Sequence, residues 1–365
     1  VSRISDVIVV GGGVIGCASA WFLAREGLSV TLLERGQLAE RASGANAGML
    51  LPFGETNLGG PFLAWALRSL ALFPELCAEL RQRSGIDPEL EASGALHVAF
   101  DAEAALHLRA KAERFAEHGL RWLDGDDLRS QESSLARELV GGVWSPLEAH
   151  VRPPLLTRAL AAAAADLGAH IERGVTVTAI RSVGRRVVGV ETTDGSFDAD
   201  HVVASAGAWT PALLSRPLPI EPLRGQLAIL DLDEPMLRTI VVGAPAYLVP
   251  KRDGSLVIGA TEERVGFDNR VTSEGMRGLL AGAEALAPRL GQAAFRRGWA
   301  GLRPATPDGL PLLGPSPDLD GLVIAAGHTR NGVLLGPITG QLVRDLILGK
   351  DLSDEARAFS LDRFA

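Results

Sequence analysis

Three glycines and one acid carry the first chemical signal in this chain. Gly11, Gly13 and Gly16 follow the apolar run Val7 to Val10 and open an apolar-periodic helix, the G-x-G-x-x-G arrangement of a dinucleotide site. Glycine meets three needs there: a tight turn, close approach of the main chain to a pyrophosphate, and close packing of helix on strand. The helix N-terminus, around Val14 and Ile15, offers free N–H groups and partial positive charge to phosphates. Gly27 ends the helix, Val30 to Leu33 read as a second short strand, and Glu34 stands where a carboxylate accepts hydrogen bonds from a ribose diol. A 2′-phosphate would be repelled by Glu34.

The far end of the chain repeats the device, in LVIAAGHTRNGVLLGPITG from residue 322. Gly332, Gly336 and Gly340 fall four apart, so on a helix they share one face, which either lies close against a flat ligand or merely permits tight helix packing. Proline is tolerated in the first helical turn, so Pro337 places the start of the regular helix near Gly336 and leaves Arg330 to Leu335 as a looser turn whose N–H groups face a ligand. One long dinucleotide gripped by both ends accounts for both devices.

Composition sets the frame for these motifs. The chain has 365 residues, a net charge of −8 and 47% hydrophobic residues, with no apolar stretch long enough for a membrane span, which fits a cytoplasmic protein of two domains sharing one cofactor. Val14-Ile15-Gly16-Cys17 resembles a lipoprotein cleavage site, but Asp6 directly before the run and the glycines within it argue against export. The two cysteines, Cys17 and Cys77, imply neither a disulfide framework nor a metal site, and no metal is expected. No basic stripe with interleaved aromatics appears, so nucleic acid is not an expected partner.

Between the two glycine devices, residues 36 to 50 read as a small-residue loop suited to lie against a flat ligand. Residues 61 to 83 show helical spacing, with Pro74 marking a kink or a break between two helices. Gly94 to Phe100 and a charged helix from Ala102 to His118 begin an inserted domain, and Pro153 to Leu167 is an alanine-rich helix ending at Gly168. A strand, a β-meander and a separate buried strand, Val202 to Ala206, then lead into Gly207. Residues 225 to 301 read as strand-dominated, with a hairpin at YLVPKRDGSLVIGA.

The opening GGGVIG with Glu34, the loop ASGANAGM, the hairpin AYLVPKRDG and, above all, GWAGLRPATPDGLPLLG followed by AAGHTRNGVLLGPITG resemble the glycine oxidase members of the D-amino-acid oxidase superfamily of FAD enzymes. The resemblance runs end to end. It implies a mixed α/β (α+β) fold: a glutathione-reductase-like FAD-binding Rossmann domain, discontinuous over 1–83, 147–219 and 299–365, plus a substrate domain with a mostly antiparallel sheet over 84–146 and 220–298. It further implies oxidative deamination of glycine, sarcosine and small D-amino acids, with O2 reduced to hydrogen peroxide, serving thiamine thiazole synthesis. A homo-oligomer is the family expectation. Cofactor contacts would come from Gly11, Gly13, Val14, Ile15, Gly16, Glu34, Arg35, Ala42, Ser43, Ala47, Gly48, Met49, Val175, Gly207, His328, Thr329, Arg330, Asn331, Gly332, Val333 and Leu334. Related sarcosine oxidases tether FAD through a cysteine ahead of the C-terminal motif; here both cysteines precede residue 80, so a noncovalent flavin is expected.

An amino-acid substrate brings a carboxylate into an apolar pocket, a costly transfer unless a cation pairs with it in good geometry. Arg303 is the leading candidate, since its planar fork can hold a carboxylate through two parallel hydrogen bonds. Tyr247 either donates a second hydrogen bond to that carboxylate or is an ordinary strand aromatic; Arg330 either helps hold the substrate or is a loop charge. No strong base is needed if the amine arrives neutral and a hydride passes to flavin N5, with N–H groups of residues 331 to 334 meeting the charge on the reduced flavin. Histidine is therefore not the expected catalyst: His328 either sits beside the cofactor turn or is a satisfied structural histidine. Glu262 either faces a substrate ammonium or is an exposed acid, and it departs from the family pattern together with Pro245, which bears on substrate preference. Two other readings share the same motifs: an amine or D-amino-acid dehydrogenase serving an acceptor other than oxygen, and a noncatalytic FAD-binding protein.

Overall fold

The computed structural model describes residues 4–54, 60–244 and 246–364. Strand Ile4–Val10 lies inside an eight-stranded sheet, flanked by parallel strands Gly195–Ala204 and Val30–Glu34. Burial on both faces explains its near-continuous apolar run, Val7, Ile8 and Val9 being fully enclosed. Strand Leu322–Ala326 pairs in parallel with Gly195–Ala204, two places from the opening strand, so the two glycine devices leave the same edge of one sheet. The ends of the chain converge as the repeated device implies.

Helix Val14–Arg25 and helix Gly332–Ile347 pack directly against each other. A Cβ at Gly340 would press on Phe22 and the Ala18 carbonyl, and one at Gly336 would sit 3.2 Å from Val14, so these glycines serve helix packing; only Gly332 reaches the cavity described below. The closing helix also begins a turn earlier than Pro337 suggested. Ser69 makes this possible: its hydroxyl donates to the Leu334 carbonyl at 2.6 Å and accepts from Ile338 N–H at 3.4 Å, patching the backbone ladder next to the proline.

A second eight-stranded sheet roofs the first. Its core is the long antiparallel pair Glu221–Asp231 and Ala294–Ala305, in a register that sets Leu223 opposite Arg303 and Leu227 opposite Trp299; the second strand runs through position 299 without interruption. The expected hairpin follows, Tyr247–Pro250 with Ser255–Gly259, placing Tyr247 opposite Gly259. Strands Ile240–Val242 and Ala95–Ala99 form the single parallel pair of this sheet among the described residues.

Four local expectations change. Residues 60 to 84 form one helix through Pro74, because the buried face running from Phe62 through Trp65, Phe73 and Leu76 to Leu80 holds it against the core despite the lost hydrogen bond. The last meander strand and the buried strand are one ten-residue strand, Gly195–Ala204, whose first residues pair with the meander and whose remainder joins the parallel sheet. The stretch 225 to 301 contains helix Ser273–Leu286, which its three glycines disguised; Thr272 caps it by accepting from Gly275 N–H at 3.1 Å. The segment 36 to 50 is not all loop, since it holds the short helix Ala42–Ala45 and strand Met49–Leu50.

Candidate active site

A cavity of about 420 Å³ opens where the strand ends, the first helix and the second sheet meet. One end is formed by Gly11 to Ile15, Glu34 and Arg35. Gly11 holds φ +113° with its α-carbon against the Ser205 carbonyl, and a Cβ at Gly16 would collide with the Gly11 carbonyl, so each glycine here is dictated by contact. The Glu34 carboxylate is aimed by the main chain: one oxygen accepts from Gly12 N–H at 2.6 Å, the other from Gly36 N–H at 2.8 Å. No described cation forms an ion pair with it, so its remaining lone pairs suit neutral donors such as ribose hydroxyls. Arg35 lies 3.9 Å from the Trp209 ring centroid, making a flat polarised wall beside it. The helix N-terminus has no side-chain cap from Gly13; Ser43 Oγ accepts from Val14 N–H at 2.9 Å, and the next amides are left for an anion.

The closing device lines the same cavity through Ala325, Ala326, His328, Thr329, Gly332 and Val333. Thr329 takes φ +48° and donates its N–H to the Pro304 carbonyl at 2.9 Å, tying this turn to the strand that carries Arg303. Burial drives the His328 pKa down to about 3, and its Nε2 pairs with Thr339 Oγ1 at 3.0 Å, so it is a neutral structural imidazole. Asn331 N–H is taken by the His328 carbonyl at 2.8 Å, which removes it from the amides expected to face a ligand.

Arg303 stands at the opposite end from Glu34. Its guanidinium lies flat over Gly225, where any side chain would displace it, and Nη1 donates to the Thr261 carbonyl at 3.0 Å. Burial holds it below its ordinary pKa, and no described carboxylate forms an ion pair with it. A partly buried arginine whose fork meets only carbonyls is set up for an anionic ligand. Tyr247 packs across Gly259 among Met49, Leu51, Ala260 and Trp299; burial pushes its phenol up to about 12, offset in part by the positive fields of Arg303 and Arg330. Arg330 Nη1 pairs with Glu262 Oε1 at 3.1 Å. Arg303, Tyr247, Arg330 and Glu262 thus gather at one place, while Pro245 lies outside the described residues.

Of the expected cofactor contacts, Gly11, Gly13, Val14, Ile15, Glu34, Arg35, Ala42, Ser43, Val175, Gly207, His328, Thr329, Gly332 and Val333 line the cavity. Gly16, Ala47, Gly48, Met49, Arg330, Asn331 and Leu334 do not. Sequence reasoning missed Trp209, although it lies only two residues after Gly207, and Lys251. The Lys251 ammonium is buried, donates to the carbonyls of Ala47 at 2.7 Å and Val151 at 3.1 Å, and is pushed down to about 7 by that burial. It pins the segment around Ala47 to the second sheet; its place in an alternating hairpin was the available signal. Among the described residues no group of three or more His, Cys, Asp or Glu could hold a metal, and no helix is long and apolar enough to cross a membrane.

The glycine turn, the aimed carboxylate, the open helix N-terminus and the flat aromatic wall fit FAD. Known proteins agree with that fit. A family model described as FAD dependent oxidoreductase matches residues 6–346. The glycine oxidase of Geobacillus kaustophilus is 40% identical over 365 residues, covering 98% of this chain and 97% of that protein. Its crystal structure superposes with a TM-score of 0.95 at 39% identity over 99% of both chains. The bifunctional protein ThiO/ThiG of Synechocystis is 40% identical over 99% of this chain, which spans 54% of that protein's length.

Proposed function

Because the chain belongs to the FAD-dependent oxidoreductase family, we propose that it oxidises glycine and other small amines to the imine and 2-oxo acid, with dioxygen as the electron acceptor and hydrogen peroxide as a product. Bound noncovalently in the cavity, FAD supplies the hydride acceptor. Gly11, Gly13 and the amides of the first helix would hold its pyrophosphate, Glu34 its ribose hydroxyls, and Ala325 to Val333 its far end. The partition between a discontinuous FAD-binding domain and a substrate domain, with boundaries near 84, 147, 220 and 299, belongs to the same reading and rests on the two sheets. A cytoplasmic homo-oligomer serving thiamine thiazole synthesis goes with it, supported by the likeness to glycine oxidase and to ThiO/ThiG.

The observation that carries the proposal is Arg303, a guanidinium with no carboxylate partner among the described residues, at the cavity end opposite the nucleotide motif. It would bind the substrate carboxylate through its fork. Tyr247, fully protonated at neutral pH, would donate a second hydrogen bond. The apolar neighbours Met49, Leu51 and Trp299 limit water around the α-carbon. His328 is a neutral structural imidazole and Tyr247 a protonated phenol, so neither is offered as a base, and the chain's work would be orientation of an already neutral amine. Adding glycine to the purified yellow protein in air should release peroxide, and adding it without oxygen should bleach the flavin. Bound flavin that no small amine bleaches would overturn the proposal, and bleaching without reoxidation in air would replace dioxygen by another acceptor.

A further inference from the structure

A guanidinium grips a carboxylate through two parallel bonds most tightly when its plane is fixed before the ligand arrives. Two carbonyls fix Arg303: its Nη1 donates to Thr261 O at 3.0 Å and to Arg224 O at 3.4 Å. Both carbonyls belong to residues held by one side chain. One oxygen of the Glu263 carboxylate accepts from Thr261 Oγ1 at 2.5 Å and from Gln226 Nε2 at 2.7 Å, while the other accepts from Arg224 Nη2. The main chain closes the same ring, since Arg224 N–H donates to the Glu263 carbonyl at 2.9 Å and Glu263 N–H to the Arg224 carbonyl at 3.0 Å. Neither Glu263 nor Arg224 lines the cavity.

Resting on the amino-acid reading above, we propose that Glu263 is the positioning residue of the substrate end: by clamping Thr261 and Arg224 it sets the two carbonyls that aim the Arg303 fork. Burial alone would raise the Glu263 pKa, yet hydrogen bonds from Arg224, Thr261 and Gln226 hold it below its ordinary value, so the clamp is charged at neutral pH. Arg224 is buried, its Nε and Nη1 make no hydrogen bond, and its one other carboxylate neighbour among the described residues is Asp268 at 3.3 Å. Neutralising Glu263 therefore leaves a buried guanidinium poorly compensated, and the strand that carries the Arg224 carbonyl must adjust around it. A small displacement there is passed to the Arg303 fork, where binding depends on alignment. Glu263 acts through Arg303, not on the reacting atoms.

Equilibrium binding of an unreactive acid tests this without turnover. Glycolate carries a hydroxyl in place of the glycine amine; it is titrated into the flavin-loaded protein and followed by the change in the flavin spectrum. Glu263→Gln should weaken glycolate by roughly tenfold while flavin is retained, and Thr261→Val, which removes one grip of the clamp and keeps the carbonyl, should weaken it by roughly threefold. Arg303→Lys has no fork to aim, so adding Glu263→Gln to it should cause no further loss, a nonadditivity that a merely structural role would not produce. Unchanged glycolate binding in Glu263→Gln, or the same tenfold loss in the Arg303→Lys background, overturns this inference alone. If Glu263→Gln yields no folded flavoprotein, Thr261→Val decides, and glycolate binding equal to the parent's overturns the inference. Failure of glycolate to bind the parent protein overturns the amino-acid reading and the inference with it.

Discussion

The two ends of the cavity are built by different rules. At the Glu34 end the contacts are local: Gly12 and Gly36 amides aim a carboxylate that lies between them on one strand–helix–strand unit. At the Arg303 end every neighbour comes from a distant segment: Gly225 beneath it, Thr261 beside it, Tyr247 and Arg330 facing it. The first end recognises what all members of a cofactor class share. The second end decides what is oxidised, and pairing between strands lets its parts vary one at a time.

If that division is correct, damage should stay at the end where it is made. The largest effect is expected from Arg303→Ala, which removes the guanidinium placed over Gly225: kcat/KM for glycine should fall by roughly two to three powers of ten, about 3–4 kcal/mol, with flavin retained. Steady-state peroxide assays and the absorbance of the purified variant check both halves of that statement. Glu34→Gln should come next, weakening FAD by about tenfold through loss of charge-assisted acceptance, measured by flavin release on dilution.

A smaller effect concerns the closing turn, where His328 is held neutral in the fold with a pKa near 3 against 6.5 when exposed. The unfolded chain therefore binds the extra proton between these values. Stability contributed by this burial is fully present above pH 6.5 and is lost as the pH falls from 6.5 toward 3. The thermal midpoint should drop over that range, less steeply in His328→Gln than in the parent; parallel profiles would remove His328 from the account.

What the sequence disclosed follows the same division. Gly11, Gly13, Gly16 and Glu34 were legible because local chemistry dictates both type and spacing, and the helix and strands around them follow from a continuous apolar pattern. The closing helix was misplaced by a turn because Ser69, far away in sequence, supplies the hydroxyl that lets the helix run through Pro337. Helix Ser273–Leu286 was hidden by its glycines, of which Gly275 is dictated by tertiary contact: a Cβ there would strike Gln226. At the substrate end, Arg303 and Tyr247 stood out through family resemblance and side-chain chemistry. The partner of Glu262 was not readable from sequence, since Arg330 meets it only once both sheets are assembled.

The separation of the two ends is best tested by measuring two dissociation constants in two variants, FAD and glycolate in Glu34→Gln and in Arg303→Ala, with glycolate titrated at saturating FAD. The expected pattern is crossed: Glu34→Gln loosens FAD and leaves glycolate unchanged, while Arg303→Ala loosens glycolate and leaves FAD unchanged. Either variant weakening both ligands alike would contradict the account.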